Sequence, residues 1–498
     1  MLSDTIKKLD ELEGKMSAFA HAVEILNYDG VTTAPEGTAA NRARSIGILS
    51  GELYDLATGS EMREIIGELE TEKENLDAKT ARRLELLSKD MKELEKIPAE
   101  EYTEYQTLLC ESDDVWHTAK KNSDFELFRP YLEKIFATEK KFAGYCRPDK
   151  KPYDYLLSKY EDGMTTDICD GFFETVRGGI VPLVAKISEK KQVDDSCIKG
   201  SFTVSEQEKF AYSLMRTIGL DTAKCGLATT EHPFTTSLGS HHDVRITTNY
   251  DECNFASSMF SVIHEGGHAL YDGNSADDLA YTCLDGGVSM AVHESQSRFY
   301  ENILGRSAAF APYLFGKAAE CFPSLRGYSW ELFYKAINKV EPSLIRTEAD
   351  EVTYCLHVMI RYKLENAVIS GDLEVKDLPH EWNRLYKEYL GVDVPDDRNG
   401  VLQDSHWAGG AVGYFPSYAL GSAYGAQLLA KMKETVNVDE CLKNGDFTQI
   451  NEWNRGRIWK YGCLKKPVEV FEDAAEGKFD ANYFIKYLED KYSEIYEL

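Results

Sequence analysis

The chain has 498 residues, with 84 acidic against 56 basic side chains and a net charge of −28, a balance that argues against nucleic acid or an anionic membrane surface as a partner. With no Pro/Ser/Gly-rich linker, low-complexity tract or solenoid-period repeat, it reads as one domain, with a helical part over about residues 1–220 and a core over about 230–420. Its eleven cysteines lie singly with no C-x-x-C pair, which suits reduced thiols, and no stretch has signal-peptide or membrane-span character, so a cytoplasmic protein is expected.

From residue 3 to about 160 apolar positions recur at helical spacing, as in Leu9, Leu12, Met16, Phe19, Ala20, Val23 and Leu26, and the charged segment 60–100 repeats that pattern on a solvated face. Tyr28-Asp-Gly-Val-Thr-Thr-Ala-Pro35 is read as a turn before the next helix. The helical pattern resumes from Pro182 to Leu220, with Thr203 and Glu206 placed as a capping box. Then the texture changes. His232-Pro-Phe234 and the stretch Thr235 to Asn249, with a Gly239-Ser240 turn and alternating Val244 and Ile246, predict a short β-hairpin, by itself an ordinary surface hairpin, with an edge that an extended peptide could join as the alternative.

Next comes Ser261-Val-Ile-His264-Glu265-Gly-Gly-His268-Ala-Leu-Tyr-Asp272-Gly273. Its core fits H-E-x-x-H, in which two histidines one helical turn apart bind a metal and the glutamate acts as general base. On a helix buried through Phe255, Met259, Val262, Ile263 and Leu270, His264 and His268 share one face about 6 Å apart along the axis. Glu265 lies about 100° around the helix and points beside the metal, where a carboxylate takes a proton from water. Gly266 and Gly267 each cost about 1 kcal/mol relative to Ala in a helix, so something must need their missing side chains.

A third ligand is sought in Gly286-Gly-Val-Ser-Met-Ala-Val-His293-Glu294-Ser-Gln296-Ser-Arg298, which reads as a second helix packed alongside the first. Glu294 there would complete a His-His-Glu site with one position left for water. His293 is the rival ligand, but as the immediate neighbour it points elsewhere and reads better as a core or supporting histidine. Asp272, one turn after His268, is placed to hold the other nitrogen of that ring.

Residues 345–350, Ile-Arg346-Thr-Glu-Ala-Asp350, open another helical segment. Arg346 and Asp350 are either a surface pair or a guanidinium held by Asp350 to clamp a substrate carboxylate. The acidic overall field must be overcome locally if the substrate is anionic, so arginines near the metal carry extra weight. Gly400-Val-Leu-Gln403-Asp404-Ser-His406-Trp407 and the glycine-rich, aromatic run through Tyr414 to Tyr418 read as loop lining a cavity. The tail from Glu452 returns to amphipathic helix.

Six blocks together resemble the thermostable carboxypeptidase (Taq-type) family of metallocarboxypeptidases: His232-Pro-Phe234, Asp243-Val-Arg245-Ile-Thr247, His264 to His268, His293-Glu294-Ser-Gln296, Ile345 to Asp350, and Gly400 to Trp407. They occur in the family's order, and the departure at Asn27-Tyr28-Asp29, where many relatives carry Trp-Asp, bears on subfamily. The resemblance implies a mainly α, zincin-like and neurolysin-like fold with a long active-site groove and a small β-sheet, and a homodimer. It implies one Zn2+ per chain, or Co2+, on His264, His268 and Glu294, with Glu265 as base, and release of single C-terminal residues from peptides with a free C-terminus and broad side-chain preference. His406 and Tyr414 are the expected oxyanion donors. Arg346 and then Arg245 are expected to bind the substrate carboxylate, with His232 and Gln403 also at the substrate and Asp272, His293 and Asp350 in support. The rivals are an endo-oligopeptidase or dipeptidyl carboxypeptidase on the same metal site, and a non-catalytic helical peptide-binding protein; an intact Glu265 speaks against the last, since holding a metal requires no base.

Overall fold

The computed structural model describes residues 2–498, and it is mainly helical with one three-stranded sheet. Helix Leu2–Thr32 packs against helix Ala39–Thr58. The expected turn at Tyr28 begins only after Thr32, because helical periodicity continues through Gly30, whose bare Cα faces the Arg42 guanidinium. These helices, with Ser60–Thr71 and Ala78–Leu94, close a small core of their own from Leu9, Leu12, Met62, Ile65, Ile66, Leu69 and Leu84. A buried Arg83–Glu13 ion pair seals it, and the second oxygen of Glu13 accepts the Cys283 N–H at 2.7 Å, tying this layer to the segment before Glu294.

The capping box at Thr203 and Glu206 starts helix Val204–Ile218. The hairpin forms as expected, but a third strand joins it: β1 (Cys225–Thr229) runs parallel to β3 (Val244–Thr248), and β2 (Thr235–Ser237) pairs antiparallel on the far side, giving the order β1-β3-β2. Cys-Gly-Leu-Ala-Thr is as long as β3 but carries Gly and Ala and is poorer in β-branched residues, which hid β1 from the sequence pattern. β2 is thereby an edge strand.

The sheet lies on the motif helix Phe255–Asp272, buried on almost every side. Alongside runs the acid helix Met290–Arg298, prolonged by a π-helical stretch Phe299–Leu304. The close packing explains Gly267: a Cβ there would stand 2.7 Å from both the Gln296 carbonyl oxygen and the Ser297 Cα. Gly421 on helix Pro416–Met432 does the same on the other side, where a Cβ would meet the Glu294 Cβ at 2.6 Å. The glycines admit neighbouring backbone, and this wedges the acid helix between two others.

No helix among the described residues is long and apolar enough to cross a membrane, and all eleven cysteines are free.

Candidate metal centre

His264 and His268 project from one face of the motif helix with ring centroids 5.0 Å apart. Glu294 faces both: its Oε2 lies 3.8 Å from His264 Nε2 and 3.5 Å from His268 Nε2. One donor atom from each of the three residues fits within 4.8 Å of the others. Two imidazole nitrogens and one carboxylate oxygen form the donor set of an open tetrahedral transition-metal site.

The outer nitrogen of each ring is engaged. Glu301 Oε2 accepts from His264 Nδ1 at 2.9 Å. His268 Nδ1 lies 2.5 Å from His293 Nδ1, and His293 Nε2 lies 2.8 Å from Asp272 Oδ1. Asp272 Oδ2 in turn accepts from the Ser237 hydroxyl on β2 at 3.1 Å. An ionised Asp272 takes the Nε2–H of His293, so His293 Nδ1 accepts from His268 Nδ1–H, and the Nε2 lone pair of His268 is left facing Glu294. Asp272 therefore does not hold His268 directly, contrary to the sequence reading; His293 fills the gap between them.

Sequence spacing alone left two more participants unremarked. Arg298 donates from Nε to Glu294 Oε1 at 2.6 Å and from Nη1 to Glu301 Oε2 at 3.3 Å. Burial opposes charge on Glu294, but Arg298 and the two histidines outweigh it and hold the carboxyl far below its usual range. Glu301, equally buried, is brought down to about 2 by Arg298 and His264. Both acids are anionic at any working pH. Glu294, Arg298 and Glu301 sit at i, i+4 and i+7, one helical face, which is the signal that could have found them.

Glu265, 7% exposed, accepts the Thr235 hydroxyl at Oε2, 2.6 Å away, which sets the carboxylate against the β2 edge. Farther along, Tyr354 stacks under Arg298, whose guanidinium carbon is 4.0 Å from the ring centre, and the Tyr354 hydroxyl accepts from Arg346 Nη1 at 3.0 Å. Arg346 is buried and held by Asp404, not Asp350: Nε and Nη2 both donate to Asp404 Oδ1, at 3.0 and 2.9 Å. Arg361 Nε donates to Asp404 Oδ2 at 2.7 Å. Two guanidiniums on one carboxylate leave this buried cluster with a net positive charge. Asp350 instead caps the turn before helix Tyr354–Ser370, accepting from the Val352 and Thr353 amides at 2.9 and 3.0 Å, because those N–H groups lie nearer in sequence than any guanidinium.

Gln403 is likewise occupied within the protein. Its amide donates to the Leu344 and Asn399 carbonyls at 3.1 and 3.0 Å and accepts the Arg346 N–H at 3.0 Å, so it fastens the Arg346 turn and has no free group for substrate. Arg245 is gripped bidentately by Asp243 at 2.6 and 2.9 Å. His232 stands in solvent, with 81% of its side chain exposed.

His406 and Tyr414 are half-buried neighbours, rings 5.6 Å apart, with Tyr418 beside them at the start of helix Pro416–Met432 rather than in the loop. Burial, with Arg346 nearby, drives His406 down to about 3, so the ring is neutral; its Nε2 lies 3.0 Å from the Tyr418 hydroxyl. Burial pushes Tyr414 up to about 12, aided by Glu294, and keeps its phenol protonated and able to donate.

Comparison with known proteins gives the family. Residues 8–492 match the family described as Carboxypeptidase Taq (M32) metallopeptidase. The chain is 40% identical over 495 residues to Carboxypeptidase 1 of Bacillus subtilis, covering 99% of each. It is 33% identical over 494 residues to Thermostable carboxypeptidase 1 of Pyrococcus furiosus, covering 98% of this chain and 99% of that one. Its fold superposes on the crystal structure of the M32 carboxypeptidase from Deinococcus radiodurans with a TM-score of 0.96 at 33% identity, covering 99% of this chain and 100% of that one. Matched from end to end in sequence and in backbone, this chain belongs to the carboxypeptidase Taq (M32) metallopeptidase family and is a metallocarboxypeptidase.

Proposed function

We propose that the enzyme releases single residues from the C-terminus of peptides, with Zn2+ or Co2+ held by His264, His268 and Glu294. When bound, the ion supplies Lewis acidity for the scissile carbonyl and acidifies water. The observation that carries this reading is the approach of those three donors within 4.8 Å, each ring anchored behind by Glu301 or His293.

Glu265 takes the proton of the attacking water. Thr235 occupies Oε2, so Oε1 carries that proton and delivers it to the leaving amine. The protonated Tyr414 phenol supplies a hydrogen bond as the carbonyl oxygen gains charge, and the neutral His406 ring, its Nε2 on the Tyr418 hydroxyl, stands behind it and would have to leave that partner to donate as well. The positive Arg346–Asp404–Arg361 cluster draws the terminal carboxylate, with Arg346, whose Nη1 and Nη2 each keep one N–H beyond those given to Tyr354 and Asp404, as the contact residue.

A peptide of ten residues, offered as free acid and as C-terminal amide and followed by mass spectrometry, tests the proposal. Loss of one residue at a time from the acid, with little from the amide, is expected. Internal cleavage or removal of dipeptides would replace the exopeptidase reading by an endo-oligopeptidase or dipeptidyl one, and equal cleavage of acid and amide would remove Arg346 from its role.

A further inference from the structure

Besides the His264 centre, one other set of metal-binding atoms converges among the described residues: donors from His241, His242 and Asp277 within 4.8 Å of one another. We propose that these three side chains form a second divalent-cation site, selective for a transition metal such as Zn2+ or Co2+, which pins the β2–β3 turn to the connection between the two helices of the metal centre.

His241 lies in that turn and is 5% exposed. Asp285 grips it twice, one carboxylate oxygen accepting the His241 backbone N–H at 3.1 Å and the other lying 2.7 Å from Nδ1. A carboxylate behind one ring nitrogen is the usual support for an imidazole that ligates through the other. His241 Nε2 is therefore directed outward, where Asp277 Oδ1 stands 3.3 Å away. With Nδ1–H donating to Asp285, a neutral His241 turns its Nε2 lone pair toward that carboxylate oxygen, and a positive species, proton or metal cation, is needed between them. Their spacing matches one edge of a tetrahedron whose metal–ligand bonds are about 2.0–2.1 Å.

The His242 ring lies against that of His241, centroids 4.1 Å apart, and borders a cavity of about 340 Å3 that it shares with Tyr281 and with His21 of helix Leu2–Thr32. The Asp277 side chain is 93% exposed, so a cation reaches the site from solvent. Two imidazoles and one carboxylate favour zinc, cobalt or nickel over calcium and magnesium, which want oxygen ligands throughout. The two elements joined both lead to the metal centre: β2 carries Thr235 and Ser237, the partners of Glu265 and Asp272, and residues 277–285 lead into the acid helix. The site is a clasp, and no substrate group need touch it.

A proton on Nε2 would also satisfy the His241–Asp277 pair, and the experiment separates the two. Metal-stripped protein is titrated calorimetrically with Co2+ and with Zn2+, and the visible spectrum of bound Co2+ is recorded. The full chain is expected to take two equivalents. H242A/D277N should take one, with its peptidase activity retained and the spectrum of the remaining ion unaltered. H264A/H268A should also take one, carrying the other spectrum, so the result stands whether or not the primary centre is assigned correctly. His242 and Asp277 are exposed, so their replacement leaves the core packed. A full chain that binds a single equivalent, or an H242A/D277N variant that still binds two, overturns the proposal and leaves His241 as an imidazolium between two aspartates.

Discussion

Asp272 reaches His268 through a second imidazole, and the length of that path has a measurable consequence. His293 is 2.5 Å from His268 and 2.8 Å from Asp272, so removing either supporting side chain frees His268 to turn or to place a proton on Nε2. D272N and H293A are each expected to weaken metal binding about 10- to 100-fold, read by competition with a chelating dye. E301Q should do the same through His264. Glu265 predicts the opposite pattern: E265Q keeps the metal and loses about 10²–10⁴-fold in turnover. Undiminished turnover in E265Q would remove the base from the mechanism. The sequence paired His264 with His268, since a four-residue step fixes a shared face, but Arg298 and Glu301, at the same kind of spacing from Glu294, went unread because no motif marks them. It misdirected Asp272 because one-turn spacing says which rings are near, not which ring stands between. Asp404 was invisible as the partner of Arg346, 58 positions away, because no periodicity spans separate elements.

At the scale of elements, the loop that carries His406 and Tyr414 is held from below by one buried acid. Glu365, on helix Tyr354–Ser370, accepts from the Trp407 indole N–H at 2.6 Å, the Tyr153 hydroxyl at 2.7 Å and the Gly413 amide at 2.8 Å. E365Q presents an amide nitrogen to at least one of these donors and strands it, a change expected to cost about 1–3 kcal/mol in denaturant unfolding. Burial raises the Glu365 carboxyl to about 7 from an ordinary 4.5. The folded state therefore holds the proton more tightly than the unfolded one, and the resulting stabilisation is complete below about 4.5 and fades as the pH rises through about 7. The stability gap between wild type and E365Q should be wider at pH 5 than at pH 8, and a gap that widens with pH would show an acid ionised when folded. Nothing in the sequence reads Glu365 this way. A lone glutamate on a helix is ordinarily solvated, and its burial follows only from how the Tyr153, Trp407 and Gly413 segments meet.

Over the whole molecule, the helical class, the hairpin and the order of the site blocks were legible, because amphipathic period and motif spacing are local properties. Which helices touch is decided by long-range closure, as at Gly267 and Gly421. Charge too is a property of the whole. A chain of net charge −28 surrounds a centre whose arginine cluster is positive and buried. If that cluster takes the terminal carboxylate as proposed, an approaching peptide is repelled at long range and attracted only at the end of its path. Salt reaches the first interaction and spares the second: the screening length falls from about 30 Å at 0.01 M to about 8 Å at 0.15 M, while the Arg346–Asp404–Arg361 cluster is shielded from solvent. For an aspartate-rich peptide KM should fall as salt rises over that range, and for a lysine-rich peptide of equal length it should rise, with kcat unchanged for both. Steady-state kinetics at fixed pH reads this directly. If both peptides gave the same salt slope, the surface field would have no part in substrate selection, and the choice would rest with the buried arginines alone.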